Sequence, residues 1–131
     1  MIDADGHACL TDFGLSKELK TKRTTSFCGS YAYLAPEMLE KAGHGFPIDW
    51  YLYGVFLYEM VTGKPPYYEK DRNALFSNIR FAKLPQPKNI TPALWDLLQG
   101  LLDRNPSKRL GSKNDSLDLK SHPWFEGIDF E

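Results

Sequence analysis

The sequence predicts a mainly α-helical fold: a short β-hairpin, a long loop, and about five helices around a buried central helix. Three observations predict it. Apolar residues recur at helical spacing through the second half of the chain. Capping residues stand before several of these segments. Near the start, the Asp5-Gly6 step between short apolar runs is a strong hairpin signal.

The length and composition are those of one ordinary globular domain. The chain has 131 residues, of which 42% are hydrophobic and 25% charged, which excludes disordered and collagenous classes. With 16 basic and 17 acidic residues, the net charge of -1 suggests no nucleic-acid or anionic-membrane partner. Surface scaling predicts roughly 7,000 Å² exposed in the folded monomer, with about two-thirds of the unfolded surface buried.

Cysteine content and hydropathy indicate an intracellular, cytoplasmic protein. Cys9 and Cys28 are too few for a disulfide scaffold, and the acidic segment 1–5 is unlike a signal peptide. The longest apolar run, residues 50–58, is far shorter than the roughly 18 residues that span a bilayer. We therefore predict no membrane segment.

The first third of the chain contains a hairpin and a loop. The hairpin is predicted within residues 1–12, around Asp5-Gly6. From residue 15 to 30 the chain is rich in Ser, Thr and Lys, and its apolar residues follow neither a helical nor a strand period. A loop of about 15 residues is longer than most connections, which indicates function or disorder. Its crowded basic residues are Lys17, Lys20, Lys22 and Arg23.

Two helices follow this loop. Pro36 can start a short helix that runs to Lys41 and ends at the glycines beyond it. The apolar run 49–63 is too long for a typical strand, opens with Asp49 as an N-cap, and closes on Gly63. Because this helix is apolar on every side, we expect it to be central and buried.

Three further helices complete the fold. Asp71 caps the first of them. Thr91 caps the second, with Pro92 at its first position. The leucines of this second helix recur at helical spacing, at Leu94, Leu97, Leu98, Leu101 and Leu102. A short helical stretch at 117–121 is the third.

The motif Asp12-Phe13-Gly14 carries the first chemical signal. A lone carboxylate can serve Mg²⁺, which combines few carboxylates with phosphate oxygens and water, but three residues also fit a turn with an N-capping Asp. About twenty residues later stands Ala35-Pro36-Glu37, and the basic loop between them ends in Ser26-Phe27-Cys28-Gly29-Ser30. In this order, the motifs resemble the protein kinase family, whose Asp-Phe-Gly and Ala-Pro-Glu bracket an activation loop.

The resemblance covers essentially the whole chain. It continues through Asp49-Trp50, Gly54 and 108–111 to the terminal His122-Pro123-Trp124-Phe125. Within the family, the loop and this terminus look like the AGC group of serine/threonine kinases. The resemblance implies a partial kinase domain over residues 1–131, the C-terminal lobe. Residues 15–34 would be its activation and substrate loop, and residues 126–131 the start of an AGC-type tail.

The resemblance places the cofactor site on Asp12-Phe13-Gly14. Asp12 would be a catalytic residue that holds the Mg²⁺ bridging the ATP phosphates. The packing of Phe13 would set whether the kinase site has its active or its inactive geometry. The order of the motifs disfavours the N-cap interpretation of Asp12.

The resemblance also implies a regulatory phosphate. Ser26 sits where AGC kinases carry it, with Thr25 and Thr24 as alternatives, and an upstream activating kinase would be a partner. A phosphoserine carries about -1.5 to -2 charges and could recruit a cation, for which Lys17 is the matched candidate. The alternative is a solvated polar loop whose cations form a docking patch for acidic partners.

Two residues are implied in substrate binding. Ser30 would place its hydroxyl on the catalytic aspartate. Glu59 would face a basic residue upstream of the phosphoacceptor, so that the protein substrate is basic; the alternative is a core carboxylate paired with an internal arginine. Tyr31-Ala32 departs from the Pro-Glu usual in AGC kinases, which leaves substrate preference open.

Structural roles fall on three further residues and on Cys28. Glu37 resembles the carboxylate of a buried ion pair with a distant arginine, here Arg109. Asp49 would hold the backbone of the catalytic loop, or only cap the central helix. Cys28 resembles a small structural residue, and a redox role would need a lowered thiol pKa.

Several parts of a working kinase are missing from these 131 residues. They hold no Gly-rich phosphate loop, no N-lobe lysine with its glutamate, and no His-Arg-Asp catalytic loop. The parent activity would transfer the γ-phosphoryl of MgATP to a protein Ser or Thr, and we predict that the isolated chain is inactive. The alternative is a non-catalytic binding module derived from a kinase C-lobe.

Overall fold

The computed structural model describes residues 1–19, 23–26, 29–41 and 43–130, and the mainly α fold class is confirmed. Predictions for Lys20, Lys22, Phe27 and Cys28 lie outside the described residues. The described residues form five α-helices: α1 (Pro36–Leu39), α2 (Pro47–Thr62), α3 (Arg72–Phe81), α4 (Pro92–Leu101) and α5 (Ser116–Lys120). Short 3-10 turns lie at Phe13–Leu15, Tyr31–Tyr33 and Pro123–Phe125.

The predicted hairpin is reduced to one isolated antiparallel bridge, between Ile2 and Ala8. The Asp3 carboxylate accepts hydrogen bonds from the backbone N–H groups of Asp5 and His7, at 3.0 and 2.8 Å, and so shapes the turn. Gly6, at a φ of 90°, adopts the left-handed conformation that the turn requires. Every residue of this segment is exposed, so no packing extends the pairing into a ladder.

Helix α2 begins three residues earlier than a helix capped by Asp49 would. Pro47 occupies its first turn and Phe46 its N-cap position, so the expectation that Asp49 caps the helix is wrong. Proline is favoured there because an N–H group in the first turn would have no intrahelical acceptor, so the lack of this group in proline costs no hydrogen bond. The helix ends as predicted at Gly63, whose φ of 80° is left-handed and whose N–H donates to the Glu59 carbonyl.

The core forms where α2 crosses α4. At Gly54 an added Cβ would lie 2.8 Å from Leu101 Cβ, so only glycine allows this approach. The α4 leucines at 94, 97, 98 and 101 are all buried. Their burial confirms the helix that the leucine spacing predicted, with one apolar face turned toward the core that α4 shares with α2.

Helix α2 is buried on one side only. Tyr51, Val55 and Tyr58 are at most 5% exposed, whereas Phe56 and Met60 are 49% and 58% exposed. Burial on every side was expected, because all faces are apolar. The described elements cover one face and leave the other open.

Helices α3 and α4 begin at their predicted caps. The side chains of Asp71 and Thr91 accept from the N–H groups of Ala74 and Leu94, at 2.8 and 3.1 Å. At the other end of α3, the Arg104 guanidinium donates to the carbonyls of Ile79, Asn78 and Ala82. The Asn78 carbonyl also accepts from the Ala82 N–H at 3.0 Å, so Arg104 mainly serves the carbonyls of Ile79 and Ala82, beyond the last intrahelical hydrogen bond.

The C-terminal residues fold back on α5. The Phe130 ring lies 5.6 Å from that of Phe125, and Lys120 Nζ lies 5.2 Å from the Phe130 centroid. Among the described residues, no helix is long and apolar enough to cross a bilayer.

Candidate functional site

Asp12 lies at the start of the long loop in a conformation that few non-glycine residues adopt. Its φ of 62° and ψ of 74° are left-handed, and such outliers cluster at functional sites. Its carboxylate accepts a hydrogen bond from the Gly14 N–H at 3.3 Å and so caps the turn Phe13–Leu15. The capping interpretation, which the motif order disfavoured, therefore describes the contact that Asp12 makes in this structure.

The Asp12 carboxylate also fits magnesium. The residue is exposed, and its second oxygen has no hydrogen-bond partner among the described residues. No group of three or more His, Cys, Asp or Glu side chains among those residues could hold a metal ion by itself. Since Mg²⁺ is commonly bound by one or two carboxylates plus phosphate oxygens and waters, one accessible carboxylate suits it when phosphates complete the shell.

The neighbours of Asp12 differ in how they meet expectation. An added Cβ at Gly14 would lie 3.2 Å from Asp12 Oδ1, so glycine leaves room for the carboxylate. Phe13 is 64% exposed, and the packing role that the resemblance implies for it is not formed with the described residues.

The candidate phosphosite and its candidate cation meet at one hydroxyl. Lys17 Nζ donates to Thr24 Oγ1 at 2.9 Å, and Thr24 Oγ1 lies 3.2 Å from Ser26 Oγ. Lys17, Thr25 and Ser26 are exposed. A phosphate on Ser26 or Thr24 would therefore form within reach of the Lys17 ammonium.

The loop is anchored beside this hydroxyl. Thr24 and His44 exchange both backbone hydrogen bonds, each at 2.7 Å, in an isolated antiparallel bridge. Arg23 Nη2 donates to the Gly43 carbonyl at 2.7 Å. Local patterns could not reveal this anchor, because the partners lie 20 residues apart.

Ser30 presents its hydroxyl to solvent. The residue is exposed, and its side chain makes no hydrogen bond to any described residue. Its carbonyl accepts from the Tyr33 N–H at 3.0 Å, which places Ser30 at the start of the turn Tyr31–Tyr33. The hydroxyl is thus available to an external partner.

The next residue, Tyr31, packs against α3. Its ring centroid lies 5.7 Å from that of Phe76, edge to face. The Arg72 guanidinium carbon lies 5.5 Å from the Tyr31 centroid and 5.8 Å from the Phe76 centroid. Side chains from α3 therefore border the predicted substrate loop.

Glu59 is bound to Tyr33. The Tyr33 hydroxyl donates a hydrogen bond to Glu59 Oε2. This bond, with burial and the Glu59 charge, raises the pKa of Tyr33 to about 12. No ion pair found among the described residues includes Glu59, so the internal arginine considered from sequence is not its partner there.

Glu37 and Arg109 form a buried, two-point ion pair. The Arg109 Nη1 and Nη2 atoms lie 2.6 and 2.9 Å from the two Glu37 oxygens. Arg109 also donates to the carbonyls of Pro47, at 2.8 Å, and Asp103, at 3.0 Å. The pair ties the short helix α1 to the start of α2 and to the segment after α4.

Asp49 lines a surface cleft of about 250 Å³, together with aromatic residues and Asp115. Partial burial raises the pKa of the Asp49 carboxyl; the Asp115 carboxylate adds to the rise and His44 opposes it. The Trp50 indole donates to Asp115 at 3.1 Å, which closes one side of the cleft. The catalytic-loop backbone that the resemblance assigns to Asp49 is not in the chain.

The structure groups the predicted residues into separate sets. Lys17 with Ser26, and Glu37 with Arg109, are brought together, whereas no described contact joins Asp12 to Ser30 or Glu59. Sequence reasoning missed Tyr33, Arg72 and His44. For Tyr33 there was one indirect signal in the sequence, since an acidic residue such as Glu59 in an apolar helix requires a partner.

Comparison with known proteins gives a consistent result. A family model described as "Protein kinase domain" matches residues 1–125. The chain is 46% identical over 132 residues to "Protein kinase 2" of Dictyostelium discoideum and 47% identical over 135 residues to "Serine/threonine-protein kinase gad8" of Schizosaccharomyces pombe. It is 45% identical over 133 residues to "Serine/threonine-protein kinase Sgk2" of Rattus norvegicus.

Each match covers a much larger share of this chain than of the relative. All of this chain is covered in each case, but only 27%, 23% and 36% of the respective relatives. The chain therefore spans between about a quarter and about a third of the length of these curated relatives.

Proposed function

Because the chain belongs to the protein kinase family, we propose that it is the C-terminal-lobe part of an AGC-like enzyme that transfers the γ-phosphoryl of MgATP to protein serine or threonine. The observation that carries the proposal is the loop itself. Asp12 exposes a free carboxylate oxygen at one end, Ser30 exposes a free hydroxyl near the other, and the loop is anchored between them at Thr24 and His44.

Each loop residue has a chemical task in this proposal. Asp12 would hold Mg²⁺, which when bound neutralises charge on the phosphates. The Ser30 hydroxyl would bond the catalytic base and orient it. Glu59, fixed by Tyr33, would attract a basic side chain of the substrate.

The same proposal assigns regulation to Ser26. A phosphate there would carry about two negative charges beside Lys17 Nζ and Thr24 Oγ1 and would hold the loop by charge-assisted hydrogen bonds. An upstream kinase would supply it. The free, exposed thiol of Cys9 suits a reducing, intracellular compartment.

The isolated chain is proposed to be inactive, since its 131 residues lack the Gly-rich loop and the His-Arg-Asp base. The test is a phosphotransfer assay of the purified chain with MgATP and a basic peptide. No turnover above background is expected. Turnover that Asp12→Asn abolishes would overturn the inactivity.

The kinase assignment is tested in a polypeptide that carries a complete kinase domain in the same reading frame. There Asp12→Asn is expected to abolish transfer, because the only metal-binding carboxylate of the motif is lost. Glu40→Gln, an exposed change in the described part of the chain, is the matched control. Equal activity of the Asp12→Asn variant and the parent would overturn the assignment.

A second candidate is a non-catalytic binding module. The open side of α2, with Phe56 and Met60 about half exposed, favours it, because exposed apolar surface is a common docking site. It predicts that excess chain inhibits a complete kinase that shares its substrate and that Phe56→Ser/Met60→Ser removes the inhibition. Inhibition by neither form would exclude this candidate.

A further inference from the structure

Arg72 stacks on two aromatic rings at the edge of the predicted substrate loop. Its guanidinium carbon lies 5.5 Å from the Tyr31 centroid and 5.8 Å from the Phe76 centroid, and the two rings meet edge to face. Cation–π contact is favourable within about 6 Å of a ring. The guanidinium is therefore held in place by rings from two separate parts of the chain.

The charge on Arg72 is not neutralised within the described residues. Arg72 is exposed, none of its N–H groups donates to a described residue, and none of the described ion pairs includes it. The neighbouring Asp71 carboxylate is occupied in capping α3, where it accepts from Ala74. A cation in the first turn also opposes the helix dipole, so helix stability does not explain Arg72.

The position of this cation suggests what it meets. Tyr31 directly follows Ser30, whose exposed hydroxyl makes no internal hydrogen bond, and the next residue is the uncharged Ala32. A peptide that reaches Ser30 would pass beside the Tyr31 ring and the guanidinium above it. An oxyanion there would meet planar N–H donors already ordered by stacking.

We propose that Arg72, stacked on Tyr31 and Phe76, binds an anionic side chain of the substrate close to the phosphoacceptor. The shared chemistry is an oxyanion, either a carboxylate or a phosphate. The inference rests on the proposed function, since it takes Ser30 to lie where substrate binds. Together with Glu59, it makes the preferred substrate bipolar, with a basic and an acidic side chain near one serine.

The test is peptide binding to the 131-residue chain, measured by fluorescence anisotropy. Every peptide carries one serine and an upstream arginine, and a single Glu is walked through each position on either side. Matched peptides carry Gln or phosphoserine instead. At one position, Glu or phosphoserine is expected to bind about fivefold to tenfold tighter than Gln, the size of a charge-assisted contact.

Variants assign the preference to Arg72. Arg72→Gln is expected to abolish it, and Arg72→Lys to retain only part, because an ammonium lacks the planar donors. Lys88→Gln removes one exposed charge elsewhere and is expected to change nothing. Far-ultraviolet circular dichroism establishes that each variant folds like the parent.

The outcomes separate this inference from the function it rests on. If arginine-containing peptides bind but Glu, phosphoserine and Gln are equivalent at every position, the Arg72 site is overturned and the proposed function stands. If Lys88→Gln removes the preference as fully as Arg72→Gln, the effect is general charge and the site is likewise overturned. If no peptide binds, the Arg72 site is overturned, whereas the proposed function is decided separately by the Asp12→Asn comparison in a complete kinase domain.

Discussion

Arg109 is the most buried charged side chain among the described residues, at 2% exposed. Four hydrogen bonds compensate its desolvation, two of them to Glu37, and the guanidinium lies 4.9 Å from the centre of the Tyr51 ring. A charge this deep requires a counter-charge, since an unpaired one would be strongly destabilising. The family resemblance implied the pair with Glu37, but the two carbonyl partners depend on how the chain folds.

Glu37→Gln is expected to lower the free energy of unfolding by about 3–5 kcal/mol, because it leaves the Arg109 guanidinium buried without a counter-charge. Urea unfolding followed by circular dichroism measures the change. Glu40→Gln, an exposed change just after α1, should lie within about 0.5 kcal/mol of the parent. Similar losses in both variants would contradict this account of the pair.

The Tyr33–Glu59 bond predicts a stability change at alkaline pH. The pKa of Tyr33 is raised to about 12, above the ordinary value of 10.0, so the folded state holds the proton more tightly than the unfolded state. The contribution of Tyr33 is therefore fully present below pH 10 and is lost as pH rises from about 10 to about 12.

Ultraviolet difference titration of the parent against Tyr33→Phe isolates this phenol from the other tyrosines. Glu59→Gln should move its pKa back toward 10, because the charged acceptor is removed. If the pKa of Tyr33 is the same in Glu59→Gln as in the parent, the hydrogen bond to Glu59 is not what raises that pKa.

At the scale of elements, the contact between α2 and α4 depends on a missing side chain. The motif Asp49-Trp50 with Gly54 marked this part of α2, yet spacing alone gave no reason for the glycine. The structure supplies it: Leu101 and Leu102 occupy the space that a Cβ would need. Close helix approach is decided by the partner helix, which a single-helix pattern does not show.

Gly54→Ala is expected to destabilise the chain by about 1–3 kcal/mol, even though alanine is the better helix former, because the added methyl lies 2.8 Å from Leu101 Cβ. Gly100→Ala is the matched control within α4, since its nearest contact would be 3.3 Å, to Leu110. Urea unfolding compares the two. A milder effect at position 54 than at position 100 would contradict the overpacking account.

At the scale of the whole molecule, less surface is buried than chain length predicts. The exposed area is 9160 Å², about 30% above the roughly 7,000 Å² expected, so burial is nearer three-fifths than two-thirds. Two regions are notably open. Residues 1–18 are exposed throughout, and the open side of α2 leaves Phe56 and Met60 in water.

This area predicts marginal stability, with a broad melting transition and a tendency to aggregate through apolar surface. Amide hydrogen exchange should find residues 1–18 unprotected and α2 with α4 the most protected, because the core lies between those helices. A sharp, reversible melting transition of the monomer would count against this prediction.

The sequence by itself determined the elements and the family. Caps at Asp71, Thr91 and Gly63, and leucines at helical spacing in α4, are local signals within one or two turns, and they placed the helices within a few residues. Apolar content misled only about the open side of α2, where the deciding factor was which elements pack alongside; the start of α2 was misplaced because Asp49 was taken as its cap, whereas Pro47 lies in its first turn. The order of the motifs that contain Asp12, Ser26 and Glu37 indicated the kinase family without a structure.

Only the tertiary structure decided which side chains meet. Tyr33 with Glu59, Thr24 with His44, and Arg72 over Tyr31 join residues distant in sequence, and no periodicity encodes such pairs. The physical reason is that a local pattern reports the conformation of one segment, whereas a contact depends on how two segments are brought together by the shared core.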